Sequence, residues 1–181
     1  TEALLAVPSA ARAGTQSLAF ATMRRLGLAT ALRQQLAPRS PRPDIDALLL
    51  TALALLSMDS ADAPYTEHTL VDQAVAATRK VQSASAGFVN AVLRRYLRER
   101  AAMTQLVRGD PVAVYNHPRW WIEQLQRDWP DTWPVLLDQA QRSPPMTLRV
   151  NAQRTDVPTY LKVLADAGIE ARALDPGVAS N

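Results

Sequence analysis

Cysteine does not occur anywhere in the 181 residues of this chain. Disulfides, thiolate metal sites and cysteine nucleophiles are therefore excluded within it. Histidine is nearly as scarce: His68 and His117 stand far apart and in different contexts, so no metal-ligand or catalytic spacing is formed. The six glycines are too scattered to build a phosphate-cradling loop. No apolar run approaches the roughly 18 residues of a membrane span. The richest, Ile45 to Met58, is interrupted by Asp46 and Thr51. The N-terminus carries no basic segment followed by an apolar core, so no secretory signal is expected. A cytoplasmic location fits the absence of cysteine. By these exclusions the chain is unequipped for chemistry of its own.

What is present is an apolar fraction of 48%, enough for a packed core. The net charge of +3 is unevenly spread: residues 1–110 hold 13 basic against 9 acidic side chains, and residues 111–181 hold 7 against 8. A basic first half points to a polyanionic partner. Eighteen of the 20 basic residues are arginine, a bias that a GC-rich genome also produces.

Hydrophobic periodicity predicts helices as far as about residue 108, with no sustained alternation of period two. Ser9 to about Arg25 and Leu26 to Leu36 are two helical stretches, followed by the breaker "APRSPRP". Asp44 is the expected N-cap of an apolar helix over Ile45 to Met58. After the loop "DSADAPYT", Thr66 or Thr69 caps a helix carrying Leu70, Val71, Ala74 and Val75. Residues 109–142 form a proline-punctuated helical connector that holds all four tryptophans, expected to pack against neighbouring helices. Asn116-His117-Pro118 is a helix-start signal. Composition changes at Ser143-Pro144-Pro145. "MTLRVN" and "EARAL" read as short strands flanking a helix over "DVPTYLKVLADAGI", with Asp156 or Thr155 as its cap and Gly168 at its end. The fold expected is mainly α: a helical domain over 1–108, a connector over 109–142, and the incomplete start of an α+β (β-α-β) subdomain over 143–181.

The stretch "SASAGFVNAVLRRYLRER", residues 83–100, carries the functional reading. At 100° per residue Phe88, Val89, Val92, Leu93, Tyr96 and Leu97 share one face, and Arg94, Arg95 and Arg98 cluster opposite. Gly87 is expected to admit a close backbone approach or a positive φ. Asn90 is expected to hydrogen-bond the backbone of an adjacent loop. The arginines are either a solvated face or a cationic strip for phosphates, which Arg24, Arg25, Arg79 and Lys80 (with Arg12) join if their helices lie alongside. His68, four residues before Asp72, is expected to form a surface pair.

"GFVNAVLRRYLRER", preceded by "HTLVDQAVAATRK", resembles the paired late helices of NusB-like RNA-binding domains. It is most similar to the version fused to ribosomal RNA cytosine-C5 methyltransferases of the RsmB (Fmu/Sun) type. "YNHPRWWIEQLQRDWP" and "PPMTLRVN" resemble that family's connector and the first strand of its small RNA-binding subdomain. The resemblance runs from about residue 48 onward. The family usually has Glu where this chain has Gln73. It implies a NusB-like bundle, small-subunit (16S) ribosomal RNA as partner, and S-adenosylmethionine as cofactor of the whole enzyme. The family's glycine-rich cofactor loop and its attacking cysteine are absent here, so this chain is expected to be an N-terminal region that binds no cofactor and is inactive alone. The alternative is a NusB-type transcription antitermination factor acting with RNA and a protein partner.

Overall fold

The structure, a computed structural model, describes residues 2–59, 63, 65–142 and 145–174. The chain divides into two compact units, Thr1–Arg142 and Ser143–Asn181.

The first unit is helical. After a short α1 (Glu2–Leu5) come α2 (Ser9–Met23), α3 (Leu26–Leu36), α4 (Pro43–Leu56), α5 (Glu67–Gln82) and α6 (Ala86–Val107). The connector supplies α7 (Pro111–Tyr115), α8 (Arg119–Asp128) and α9 (Trp133–Gln141). The apolar helix expected from residue 45 is α4, and it is central: Ile45, Leu49 and Leu53 have no exposed surface. It packs on α2, α3, α5 and α6. Burying a side chain of this size contributes roughly 1.5–3 kcal/mol, so three in one stripe hold the helix at the middle of the bundle. Its start differs from the expectation. Pro43 occupies the first turn, where its missing N–H costs nothing. Asp44 lies inside the helix, where its carboxylate accepts from the Ile45 N–H at 2.8 Å and pairs with Arg42 at 3.0 Å.

Thr66 caps α5, its hydroxyl accepting from the Thr69 N–H at 3.3 Å. Leu70, Val71, Ala74 and Val75 are buried as their spacing requires, and the buried Thr78 hydroxyl is satisfied by the Ala74 carbonyl at 2.8 Å. On α6 the face Val89, Val92, Leu93 and Tyr96 is buried, while Phe88 lies at its edge and stays partly exposed. This helix is kinked at Glu99, whose φ of −109° and ψ of 15° leave the helical region.

A buried ion pair escaped the sequence reading. Arg33 on α3 lies 3.1 Å from Asp46 on α4, and its guanidinium also donates to the Ser40 hydroxyl at 3.2 Å. Removing one partner of such a pair leaves an uncompensated buried charge.

In the second unit the predicted helix is present as α10 (Val157–Asp166), capped by Asp156, which accepts from the Thr159 N–H at 2.8 Å. It ends in a Schellman motif: Gly168 has φ +72°, its N–H reaches the Ala165 carbonyl, and the Ile169 N–H reaches the Leu164 carbonyl, both at 2.9 Å. The two flanking strands are not formed among the described residues: 146–151 and 170–174 carry no ladder. A helix satisfies its backbone within itself, whereas a strand requires a neighbour for its N–H and C=O groups.

Candidate nucleic-acid interface

α5 and α6 pack side by side and turn their polar faces outward. Arg79, Lys80, Arg94, Arg95 and Arg98 are all exposed there, as the helical wheel requires. Between the helices lies a cleft of about 520 Å³ whose walls include Arg79 from α5 and Arg94 from α6. The structure therefore brings those two arginines, 15 positions apart in sequence, to one place. Arg95 is tied to Glu99 at 3.0 Å, a surface pair of small energetic weight.

Gly87 and Asn90 line this cleft as well, and their roles differ from the expectation. A Cβ at Gly87 would meet nothing within 4 Å, and the residue has no positive φ. The first turn of α6 projects into open space there, so no neighbouring backbone crowds it. The Asn90 carbonyl oxygen accepts from Arg94 Nε at 3.0 Å, one helical turn on, in place of a loop backbone. It orients the guanidinium beside the cleft.

The remaining basic candidates separate. Arg24, at the C-terminal end of α2, is exposed. Arg25 turns inward: its guanidinium donates to the Ser57 carbonyl at the end of α4, 3.2 Å away, where a cation complements the helix dipole. Arg12 is used locally, donating to the Val7 and Leu5 carbonyls. Burial pushes the Tyr96 phenol above its ordinary pKa, opposed by Arg100, which stacks over the ring at 5.5 Å, and by Arg25.

His68 pairs with Asp72 at 3.7 Å on the surface. Among the described residues no cluster of His, Cys, Asp or Glu could hold a metal ion. No helix among them is long and apolar enough to cross a membrane.

The tryptophans follow the expectation only in part. Trp133 packs edge-on against Tyr115, with ring centroids 5.1 Å apart. Trp120, Trp121 and Trp129 keep 65%, 39% and 57% of their surface exposed. The α8 stripe has a single anchor in the core, Ile122, and the indoles fall outside it.

The sequence reading missed a polar joint between connector and bundle. Asn116 ends α7 with φ +54°, a left-handed position that asparagine tolerates better than most residues. Its side-chain oxygen accepts from the Gly27 N–H at 2.6 Å, and its amide nitrogen donates to the Met23 carbonyl at 2.9 Å. One amide thus satisfies an orphan carbonyl at the end of α2 and an orphan N–H at the start of α3. Gly27 is the other half of the joint: a Cβ there would lie 2.3 Å from the Val112 carbonyl oxygen of α7. Gln141 braces the joint, accepting from Asn116 at 3.2 Å and donating to the Tyr115 carbonyl at 3.0 Å. His117 Nδ1 sits 2.6 Å from that same carbonyl and 3.2 Å from the Gln141 amide nitrogen. Pro118 precedes α8 as its N-cap residue.

Fold and surface together define an all-helical bundle with a cationic helix pair on one side and a second small unit after a helical connector. A NusB family profile matches residues 3–98, just over half of the chain. The chain belongs to the NusB family. A second profile, the ferredoxin-like domain of the RsmF/B-like methyltransferases, matches residues 117–178.

Among curated proteins, ribosomal RNA small subunit methyltransferase B of Pseudomonas putida is 37% identical over 163 residues, covering 88% of this chain and 36% of the relative. Its namesake in Pseudomonas syringae pv. tomato is 35% identical with the same coverage. A probable methyltransferase B of Coxiella burnetii is 35% identical over 109 residues, 60% of this chain and 25% of the relative. The chain spans about a third, or less, of the length of these relatives.

Proposed function

We propose that this chain is the RNA-binding region of a small-subunit (16S) ribosomal RNA cytosine-C5 methyltransferase, and that it positions the RNA for methyl transfer. The observation that carries the reading is the order of two family matches on one chain: a NusB bundle, then the ferredoxin-like domain of RsmF/B-like methyltransferases. The relatives that align along most of the chain bear the methyltransferase name, which supports the same assignment. A stand-alone NusB-type antitermination factor gives residues 117–178 no role.

In this reading Arg94, Arg95 and Arg98 contact phosphates, with Arg79 and Lys80 beside them on α5, and Arg24, exposed at the end of α2, is a further candidate. Arg25 contributes through the bundle's stability, since its guanidinium is held by Ser57. Phosphate contacts of this kind fix register and carry most of the affinity. Methyl donation in the whole enzyme would need S-adenosylmethionine. The residues of this chain do not fit that cofactor, having no glycine-rich loop, and there is no cysteine to attack the base. The chain alone is therefore expected to bind RNA and transfer no methyl group. Acting on ribosomal RNA, it would work in the cytoplasm. Domain limits at 108 and 142, separating bundle, connector and subdomain, belong to the same proposal.

The test is RNA affinity measured across a salt series. Replacing both residues, Arg94→Ala with Arg95→Ala, is expected to weaken binding uniformly across sequences and to lower the salt slope by about one unit per lost contact. Unchanged affinity and slope would overturn the assignment.

A further inference from the structure

The α5–α6 cleft has a chemistry that a phosphate strip does not require. Its walls combine two arginines, Arg79 and Arg94, with two amides, Gln73 and Asn90, and the carboxylate of Asp72. Apolar contact comes from Val75 and Ala86, and Gly87 leaves one side without a side chain. The volume of about 520 Å³ lies within the usual range of clefts that hold small organic groups.

We infer that this cleft receives one unstacked nucleotide of single-stranded RNA, the base entering between α5 and α6 and its phosphates meeting Arg79 and Arg94. The inference rests on the RNA-binding reading and specifies what that face recognises. Three features support a base over a phosphate alone. A phosphate inside the cleft would approach Asp72, whose carboxylate repels it; one carboxylate oxygen lies 3.7 Å from His68, and the other can accept the exocyclic amino group of a base. Asn90 gives its oxygen to Arg94 Nε and keeps its amide N–H donors free for a base edge. Gln73, on the rim that the cleft shares with the groove between α5 and α4, offers both a donor and an acceptor, the pattern with which side-chain amides read base edges. Bases in single strands are free to be splayed out and read on those edges, whereas bases in an RNA duplex are not.

Gly87 makes the test clean. It faces open space, so a larger residue fills the cleft without touching the core or changing any charge. Gly87→Leu and, separately, Gln73→Ala are made in the full chain, with circular dichroism to confirm folding. Binding is followed by fluorescence anisotropy across a potassium chloride series, with an unstructured RNA oligonucleotide and a blunt RNA duplex of equal length as probes. Gly87→Leu is expected to weaken single-strand binding about fivefold or more, with the salt slope unchanged and duplex binding unaffected. Gln73→Ala is expected to move in the same direction by a smaller factor, and it serves as the test if Gly87→Leu does not fold. Single-strand affinity within twofold of the parent, or an equal loss on the duplex, overturns the inference. Arg94→Ala in the same assay separates the two levels. If it lowers affinity and slope while Gly87→Leu and Gln73→Ala do nothing, the cleft assignment falls and the RNA-binding reading stands. If none of the three changes binding, both fall.

Discussion

Gly27 and Gly87 each stand in the first turn of a helix, and they occupy opposite environments. At Gly27 an added Cβ would sit 2.3 Å from a backbone oxygen of α7; at Gly87 it would find nothing within 4 Å. The first belongs to a closed joint whose polar groups are satisfied by Asn116 and Gln141. The second belongs to a cleft left open beside exposed arginines. A glycine is therefore informative in two ways: one marks where two elements must touch, the other where space is kept for something else.

The largest effect should come from closing the joint badly. Gly27→Ala drives a methyl group into backbone that cannot rotate away, and overpacking of this kind costs about 1–3 kcal/mol. Thermal unfolding of the full chain measures it, and a change within about 0.5 kcal/mol, ordinary for a surface site, would show that the joint is looser than described. Next comes Asn116→Gly, which keeps the left-handed backbone available and deletes only the amide. Leaving the Met23 carbonyl and Gly27 N–H without their partner should cost about 1–3 kcal/mol, toward the lower end because the Met23 bond is solvent-exposed. Gln141→Leu in the same background should add less than it costs alone, since both act on one network.

At the other glycine the sign should reverse. Gly87→Ala places a better helix former in open space and should stabilise by at most about 0.5–1 kcal/mol. A destabilisation measured the same way would mean that α6 starts in a crowded site after all. The smallest effect belongs to the second unit. The hydrogen bonds from Thr159 hold the Asp156 carboxyl below its ordinary pKa of 3.8. A depressed folded pKa means that the cap's contribution is present above the ordinary value and lost as pH falls through the lower, folded one. Following the Thr159 amide resonance through an acid titration should give a midpoint below 3.8; a midpoint at or above it would deny the cap.

Much of this was legible from local pattern. The core faces of α4 and α5 follow from spacing, and the caps at Thr66 and Asp156 and the end at Gly168 follow from residue type, because the groups involved lie within a turn or two of each other. The outward face of α6 was likewise readable. Several misread features have partners far along the chain. Asn116 meets Gly27 across 89 positions, and nothing in Asn-His-Pro announces that contact. Arg25 counted as a surface cation until the end of α4 was known to lie beside it. The indoles of Trp120, Trp121 and Trp129 were expected to pack against neighbouring helices, but they stay exposed, and Ile122 is the residue that α8 buries. The stretches at 146–151 and 170–174 were read as strands from residue type, but they form none among the described residues, and a strand exists only where another strand meets it.

By itself the sequence determined the helices, their polar and apolar faces, the absence of cysteine chemistry and the cationic character of α6. All of these depend on residue identity and on a period of 3.6. Tertiary structure alone decided which glycine is crowded, which arginines face solvent, that Arg79 and Arg94 flank one cleft, and that one asparagine fastens the connector to the bundle. The physical reason is range. Backbone propensity and side-chain periodicity act within a few residues, whereas packing, closure and the pairing of distant polar groups exist only once helices are brought together and water is excluded between them.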